Sequence, residues 1–314
     1  MSNRDTLASE PSKTAGALAR HWANEEIVAL RPGPGRLQSA WRALSKNKLT
    51  LAGCIIALIY ILLGLFGPVL APHDYARQDL MATFLKPGSP GHLLGTDNYG
   101  RDILSRLVVA IRVSLSIGFG ITAISMIVGT LAGAIAGYYR GWADTIISGI
   151  IELTWGFPLI LIAVILTGAF GPGLKAIVLA VGLINWAGFA RIVRAEVISL
   201  REREFVQAAH AIGVSDGRIL ARHILPNCLA PALVMASNYV ALAIIVEAGL
   251  SFLGMGAQPP LPSLGTMIAE GKNYMLLDHW VSTIPGVTIV IIVLALNLLG
   301  DGLRDILDPR LRRA

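Results

Sequence analysis

Between Glu204 and Asn227 the chain carries a polar, basic insert, EFVQAAHAIGVSDGRILARHILPN, flanked by apolar runs long enough to cross a bilayer. Its residue types suit mechanical docking, not bond-making. Phe205, Ala208, Ala209 and Ile212 recur at i, i+3, i+4 and i+7, which predicts one apolar face on a short helix. Gly213 falls where that helix must stop, because glycine takes a positive φ without steric penalty. Ser215 is placed to cap a second short helix beginning at Asp216. Pro226 opens the next apolar run, where a missing N–H does no harm. The expected product is a helix–turn–helix elbow that offers a knob of small side chains to the aqueous phase.

The segment resembles the EAA loop of prokaryotic ABC-importer permeases, written E-A-A, three residues, Gly, nine residues, I-x-L-P. Here Gln207, Ala208 and Ala209 precede Gly213 by the same interval, and His223-Ile224-Leu225-Pro226 closes the pattern. Gln207 stands where the pattern has Glu, and His223 where it has the first Ile. The resemblance implies that Phe205, Gln207, Ala208, Ala209, Ile212, Gly213, Leu225 and Pro226 couple the chain to a separate ATPase. The departure at Gln207 removes any role for a carboxylate there.

Covalent chemistry finds little footing. No G-x-x-x-x-G-K-[ST] loop is present, so the chain is not expected to bind ATP through a P-loop. All six His lie outside the apolar runs, which leaves an intramembrane Ser–His pair without its base. No His or Cys pair has the local spacing of a structural metal site, and no bound cofactor is expected. Cys54 and Cys228 read as small buried apolar residues, not a disulfide.

Composition demands a bilayer. The chain is 54% hydrophobic and 15% charged, with a mean hydropathy of +0.64, where soluble domains are about a quarter charged. Six apolar runs stand out, near 49–70, 113–137, 145–170, 174–189, 228–254 and 284–300. A bilayer core of about 30 Å needs about 20 helical residues. The fourth run is short, and Arg191 and Arg194 would snorkel to lengthen it. With the N-terminus inside, 19 of the 26 Lys and Arg fall on inner segments, which places both termini and the elbow in the cytoplasm. The net charge of +6 thus reflects topology and anionic lipid, not nucleic acid.

The expected fold is an all-α polytopic membrane protein of six spans with a cytoplasmic helix–turn–helix loop. Residues 1–35 read as a disordered cytoplasmic tail and 36–48 as an interfacial amphipathic helix. The first span covers 49–70, an external segment covers 71–112, and a five-helix core covers 113–303, with the coupling loop at 195–227. Residues 304–314 form a cytoplasmic tail. In the external segment Asp97 and Asn98 suit a turn and a helix cap. Ile103, Leu107 and Ala110 form a stripe on a following helix. In the second span Gly129, Gly133 and Gly137 make a ridge for close helix approach, and Pro158 should bend the third span.

Ionisable groups at membrane depth are functional suspects. Glu247 and Glu152 are the acids there, and Asn185, Asn238 and Asn297 the amides. Glu247, Asn238 and Glu152 are the candidates for the substrate path. Glu247 has a second reading, as a hydrogen-bonding strut to a neighbouring helix. The blocks Gly95-Thr96-Asp97 and Gly100-Arg101-Asp102, AIIVEAGLSFLGMG around Glu247, PPLPSLGTMIAEG and LGDGLRDILDPRL together resemble the second, C-type permease of dipeptide and oligopeptide importers. That resemblance implies a second similar permease, two cytoplasmic ATPases that hold ATP and Mg, and an extracytoplasmic binding protein. It leaves open peptides, glutathione or nickel chelates as cargo. The reading from another class is a self-sufficient secondary transporter or channel, which would need its own coupling groups and inverted halves.

Overall fold

The computed structural model describes residues 47–307. The 1–35 tail, nearly all of the 36–48 helix and the end of the 304–314 tail lie outside that range. Every named element among the described residues is a helix. Five helices are long and apolar enough to cross a membrane, and a sixth span is completed if one sharply bent pair counts as a single crossing.

The first helix, α1 (Lys48–Leu70), starts at Asn47, whose side chain accepts from the backbone N–H groups of Leu49 and Thr50. The next, α2 (Ile103–Tyr139), runs 37 residues without a break. The stripe Ile103, Leu107 and Ala110 is buried, and the helix that carries it continues unbroken into the second apolar run. The cap is displaced. Asp102, not Asp97 or Asn98, accepts from the Ser105 N–H at the start of α2. Asp97 instead orders the turn, accepting from the N–H groups of Tyr99 and Arg101 at 2.8 and 3.0 Å.

The third crossing is broken. Helices α3 (Gly141–Trp155) and α4 (Leu159–Phe170) meet at 93°, with Pro158 at the N-cap of α4. Proline has no N–H and its ring clashes with the preceding turn, so a break here is its ordinary consequence. Helix α5 (Leu174–Arg201) extends twelve residues beyond the apolar run ending at Phe189. Arg194 is part of the reason. Its guanidinium binds the Asp144 carboxylate on α3 at 2.5 and 2.7 Å, while Arg191 lies over the Trp155 ring at 3.9 Å. Neither arginine depends on snorkelling alone.

Packing of α2 against α5 is set by the glycine ridge. A Cβ on Gly129 would strike Trp186 O and Phe189, one on Gly133 would strike the Ala190 backbone, and one on Gly137 would lie 2.7 Å from Arg194 O. The two backbones touch because the side chains are absent. A second cluster joins Ile103, Leu107 and Ile111 of α2 to Ile244, Leu264 and Ile292. These come from α8 (Leu225–Phe252), α9 (Leu264–Gly271) and α10 (Trp280–Leu307).

Near the start of α2, Arg101 and Arg106 share the Asp97 carboxylate and both donate to Glu270 Oε2 of α9, at 2.6 and 2.8 Å. This largely buried network ties the loop before α2 to the segment between α8 and α10. A buried charge costs heavily unless paired, and each of these is paired.

Candidate functional site: the elbow and the membrane-depth acids

The elbow is built from α6 (Glu204–Ala211), a turn at Gly213, and α7 (Asp216–Ile219). Gly213 has φ +81°, and the Val214 N–H reaches back to Ala209 O at 3.1 Å. This six-to-one bond closes the helix through a left-handed residue. Ser215 occupies the N-cap of α7 but its side chain makes no capping bond. Its carbonyl accepts from Arg218 and Ile219 instead.

The second arm is not a separate helix. Residues 216–252 run as one helical rod, with a π turn at Leu220–Ile224 before α8. Pro226 lies in the first turn of α8 and supplies no N–H, so the ladder loosens locally. Leu225 N bonds back five residues to Leu220 O, and the Asn227 side chain donates to His223 O at 2.6 Å. Bulges of this kind occur often where helices do work.

The faces of α6 differ from the expected grouping. Val206 is fully buried and Ala209 is only 7% exposed, packed with Ile219, Ile224, Val197 and Tyr138 in the subunit's own core. Phe205 is 45% and Ile212 80% exposed, and Ala208 and Gln207 are also exposed. The outward stripe is therefore Phe205, Ala208 and Ile212, without Ala209. Once the Gly213 turn folds α7 back, the inward face is chosen by what it packs against, and helical spacing alone cannot make that choice. Leu225 is partly buried against the same core, while Pro226 is exposed.

A polar clamp holds the elbow to the end of α2, and the sequence carried no local signal for it. The buried Tyr138 hydroxyl donates to Asp216 Oδ1 at 2.9 Å and lies 3.3 Å from His210 Nε2. Arg140, which ends α2, pairs with Glu202 at 3.0 Å. One aromatic hydroxyl thus bridges the two arms of the elbow and a membrane-crossing helix.

The membrane-depth candidates separate. Glu247 is 0% exposed. Ser251 Oγ donates to its Oε1 at 2.6 Å and Ser114 Oγ of α2 to its Oε2 at 3.1 Å. It is enclosed between helices, and its geometry is that of a strut. Helix α8 continues past Gly249 to Phe252. Asn238 and Glu152 are exposed on separate helices, so the three are not brought together. A cavity of about 260 Å³ does open beside the α3–α4 break, bordered by Trp155, Phe157, Asn185 and Tyr239. Asn185 Nδ2 has no protein partner there.

The absence of metal-ligand spacing holds only locally. The fold gathers His73, His92 and Asp102 from distant positions. Asp102 is partly desolvated, which opposes its charge, but hydrogen bonds from His92 and Ser105 and the proximity of His73 outweigh that and hold its carboxyl below the usual range.

Five or six crossings long and apolar enough for a bilayer, with a jointed, partly apolar elbow outside the bundle, define an all-α polytopic membrane protein. Residues 129–313 match the family described as binding-protein-dependent transport system inner membrane component. Residues 35–87 match the N-terminal TM domain of oligopeptide transport permease C. The chain is 42% identical to the dipeptide transport system permease protein DppC of Alkalihalophilus pseudofirmus, over 88% of this chain and 90% of that protein. It is 40% identical to the DppC of Bacillus subtilis, with 90% and 88% covered. It is 36% identical to the glutathione transport system permease protein GsiD of Pectobacterium atrosepticum, with 93% and 99% covered. A solved structure of the MetNI methionine ABC transporter in an inward-facing conformation shares the fold, with a TM-score of 0.52 at 21% identity over 64% of this chain and 95% of that one.

The chain belongs to the family of binding-protein-dependent transport system inner membrane components. It is a multi-pass membrane protein and a permease subunit of an ABC importer.

Proposed function

We propose that the chain forms half of the translocation pathway of an ATP-driven importer for di- and oligopeptides. In this reading it sits in the cytoplasmic membrane with both termini inside, pairs with a second permease, and takes its ligand from an external binding protein. Two cytoplasmic ATPases supply the energy, and ATP and Mg reside there and not in this chain, which performs no catalysis. Closure of the ATPase pair would press on the two elbows and switch the cavity from inward- to outward-facing. The peptide cargo rests on the dipeptide permeases among the relatives. The glutathione permease relative makes a tripeptide thiol the second cargo to test.

The observation that carries the coupling role is the outward stripe of Phe205, Ala208 and Ile212 on an elbow whose inner face is locked to the bundle. An exposed apolar stripe on a rigid polar loop fits a groove on a partner. Ile212→Asp would bury an unpaired charge at that contact, a change of about 3–5 kcal/mol, while leaving the subunit core untouched. Co-purification of the ATPases and ligand-stimulated ATP hydrolysis should both collapse, with Arg218→Gln near wild type because rim charges contribute little. Normal ATPase retention and uptake in Ile212→Asp would refute the docking assignment. Cargo is settled separately, by measuring uptake of dipeptides, longer peptides and glutathione in vesicles holding the assembled transporter and its binding protein.

A further inference from the structure

We propose that His73, His92 and Asp102 form a binding site for one divalent transition-metal ion, zinc in the first instance, on the outer side of the bundle. The three side chains come from separate places. His73 follows α1, His92 lies in the external loop, and Asp102 caps α2. One donor atom from each lies within 4.8 Å of the others. The imidazoles are stacked, with centroids 4.9 Å apart and planes 28° apart, and both present Nδ1 to the carboxylate. His92 Nδ1 is 2.9 Å from Asp102 Oδ1, and His73 Nδ1 is 3.8 Å from Oδ2.

Two observations separate this set from an ordinary hydrogen-bonded cap. His73 Nδ1 is shielded from solvent and has no hydrogen-bond partner, and a buried polar atom left unpaired calls for an explanation. The second is a division of labour in the carboxylate. Asp102 Oδ2 accepts from Ser105 N and Ser105 Oγ, both at 2.7 Å, which leaves Oδ1 to His92. Ser105 Oγ also accepts from the His73 N–H at 3.0 Å. One serine thus orients the carboxylate and the backbone of a histidine, the outer-shell support that metal sites require.

Two imidazoles and one carboxylate suit zinc and its neighbours among the first-row divalent ions. Bonds of about 2.0–2.2 Å at a tetrahedral ion hold donors about 3.3–3.6 Å apart. Donors that lie within 4.8 Å of one another must therefore draw in by up to about 1.2–1.5 Å, a movement that falls to the His73 ring, whose side chain is 35% exposed. Binding replaces the His92–Asp102 hydrogen bond. The imidazole ligates as the neutral ring, its proton on Nε2 and the Nδ1 lone pair on the metal. His73 also borders an open cavity of about 950 Å³ beside Arg112 and Lys175, which provides an entry path and room for water at the remaining positions. An ion there would pin the strap after α1 and the external loop to the first turn of α2.

The test uses the full chain in lipid nanodiscs, assembled with its partners and purified without a polyhistidine tag. Calorimetric titration with Zn²⁺ should give one saturable site per chain, Co²⁺ should give a visible ligand-field spectrum, and zinc should raise the melting temperature. His73→Phe preserves a stacked ring and should keep the metal-free melting temperature while weakening zinc at least about tenfold, the loss that removing even an outer-shell partner produces. His92→Gln, which can still donate to Asp102, should behave alike and decides the matter if His73→Phe misfolds. No saturable zinc, or equal affinity in the variants, would overturn the proposal and mark any bound metal as an adventitious ion only.

Discussion

At the residue scale, the division of labour on α6 turns on single side chains. Ala209 reads as part of an exposed face by spacing, yet it packs beneath the elbow at 7% exposure while Ile212, three residues on, is 80% exposed. Substitutions at the two positions therefore test different things. A charge at Ala209 attacks the subunit's own core, and one at Ile212 would attack the proposed partner contact. Tyr138 makes the sharper case. Its hydroxyl joins Asp216 to the end of α2 at 2.9 Å, and Asp216 is half exposed, so water can replace the bond when it is removed. Tyr138→Phe should cost only about 1 kcal/mol of stability and retain the ATPases, while uptake per ATP hydrolysed falls several-fold because the elbow no longer pulls on α2 directly. Unchanged transport stoichiometry in that variant would remove the clamp from the coupling route.

Whole elements are positioned by close approach and by one break. Helices α2 and α5 meet backbone to backbone along Gly129, Gly133 and Gly137, and no larger residue fits. Gly133→Val should separate the pair and lower stability by about 1–3 kcal/mol, the usual cost of overpacking. It would be read as a lower melting temperature and poorer yield in detergent. Gly168→Val is the control, since a Cβ there meets nothing within 4 Å. Equal melting temperatures for the two variants would contradict the ridge. The 93° break between α3 and α4 is the second device, and it opens the small cavity where Asn185 and Tyr239 face inward. Polar groups at membrane depth are found at this break, where the backbone ladder is interrupted, whereas Glu247 is sealed between α2 and α8.

For the molecule as a whole, orientation is the property that everything else depends on. The basic-residue bias predicts the elbow inside and the α9–α10 connection outside. Single cysteines at Asp216 and Leu276, in a background lacking Cys54 and Cys228, should label from opposite faces of the membrane. Leu276 is fully exposed and suits the purpose, whereas Gly271 is buried and a side chain there would strike Ser282. Labelling of both from one side would sink the orientation.

What the chain determines by itself is whatever follows from local physics. Apolar run length shows helices that cross a bilayer, Gly213 marks a turn with positive φ, Pro158 breaks a helix, and a ridge of glycines announces a close helical neighbour. Each depends on residues within a few positions of one another. Tertiary structure alone decided which face of α6 points outward and whether Glu247 meets solvent. It also brought Tyr138 to Asp216, and His73 and His92 to Asp102. Those outcomes depend on partners tens of residues away, and spacing along one strand of sequence contains no information about which distant surface will cover it.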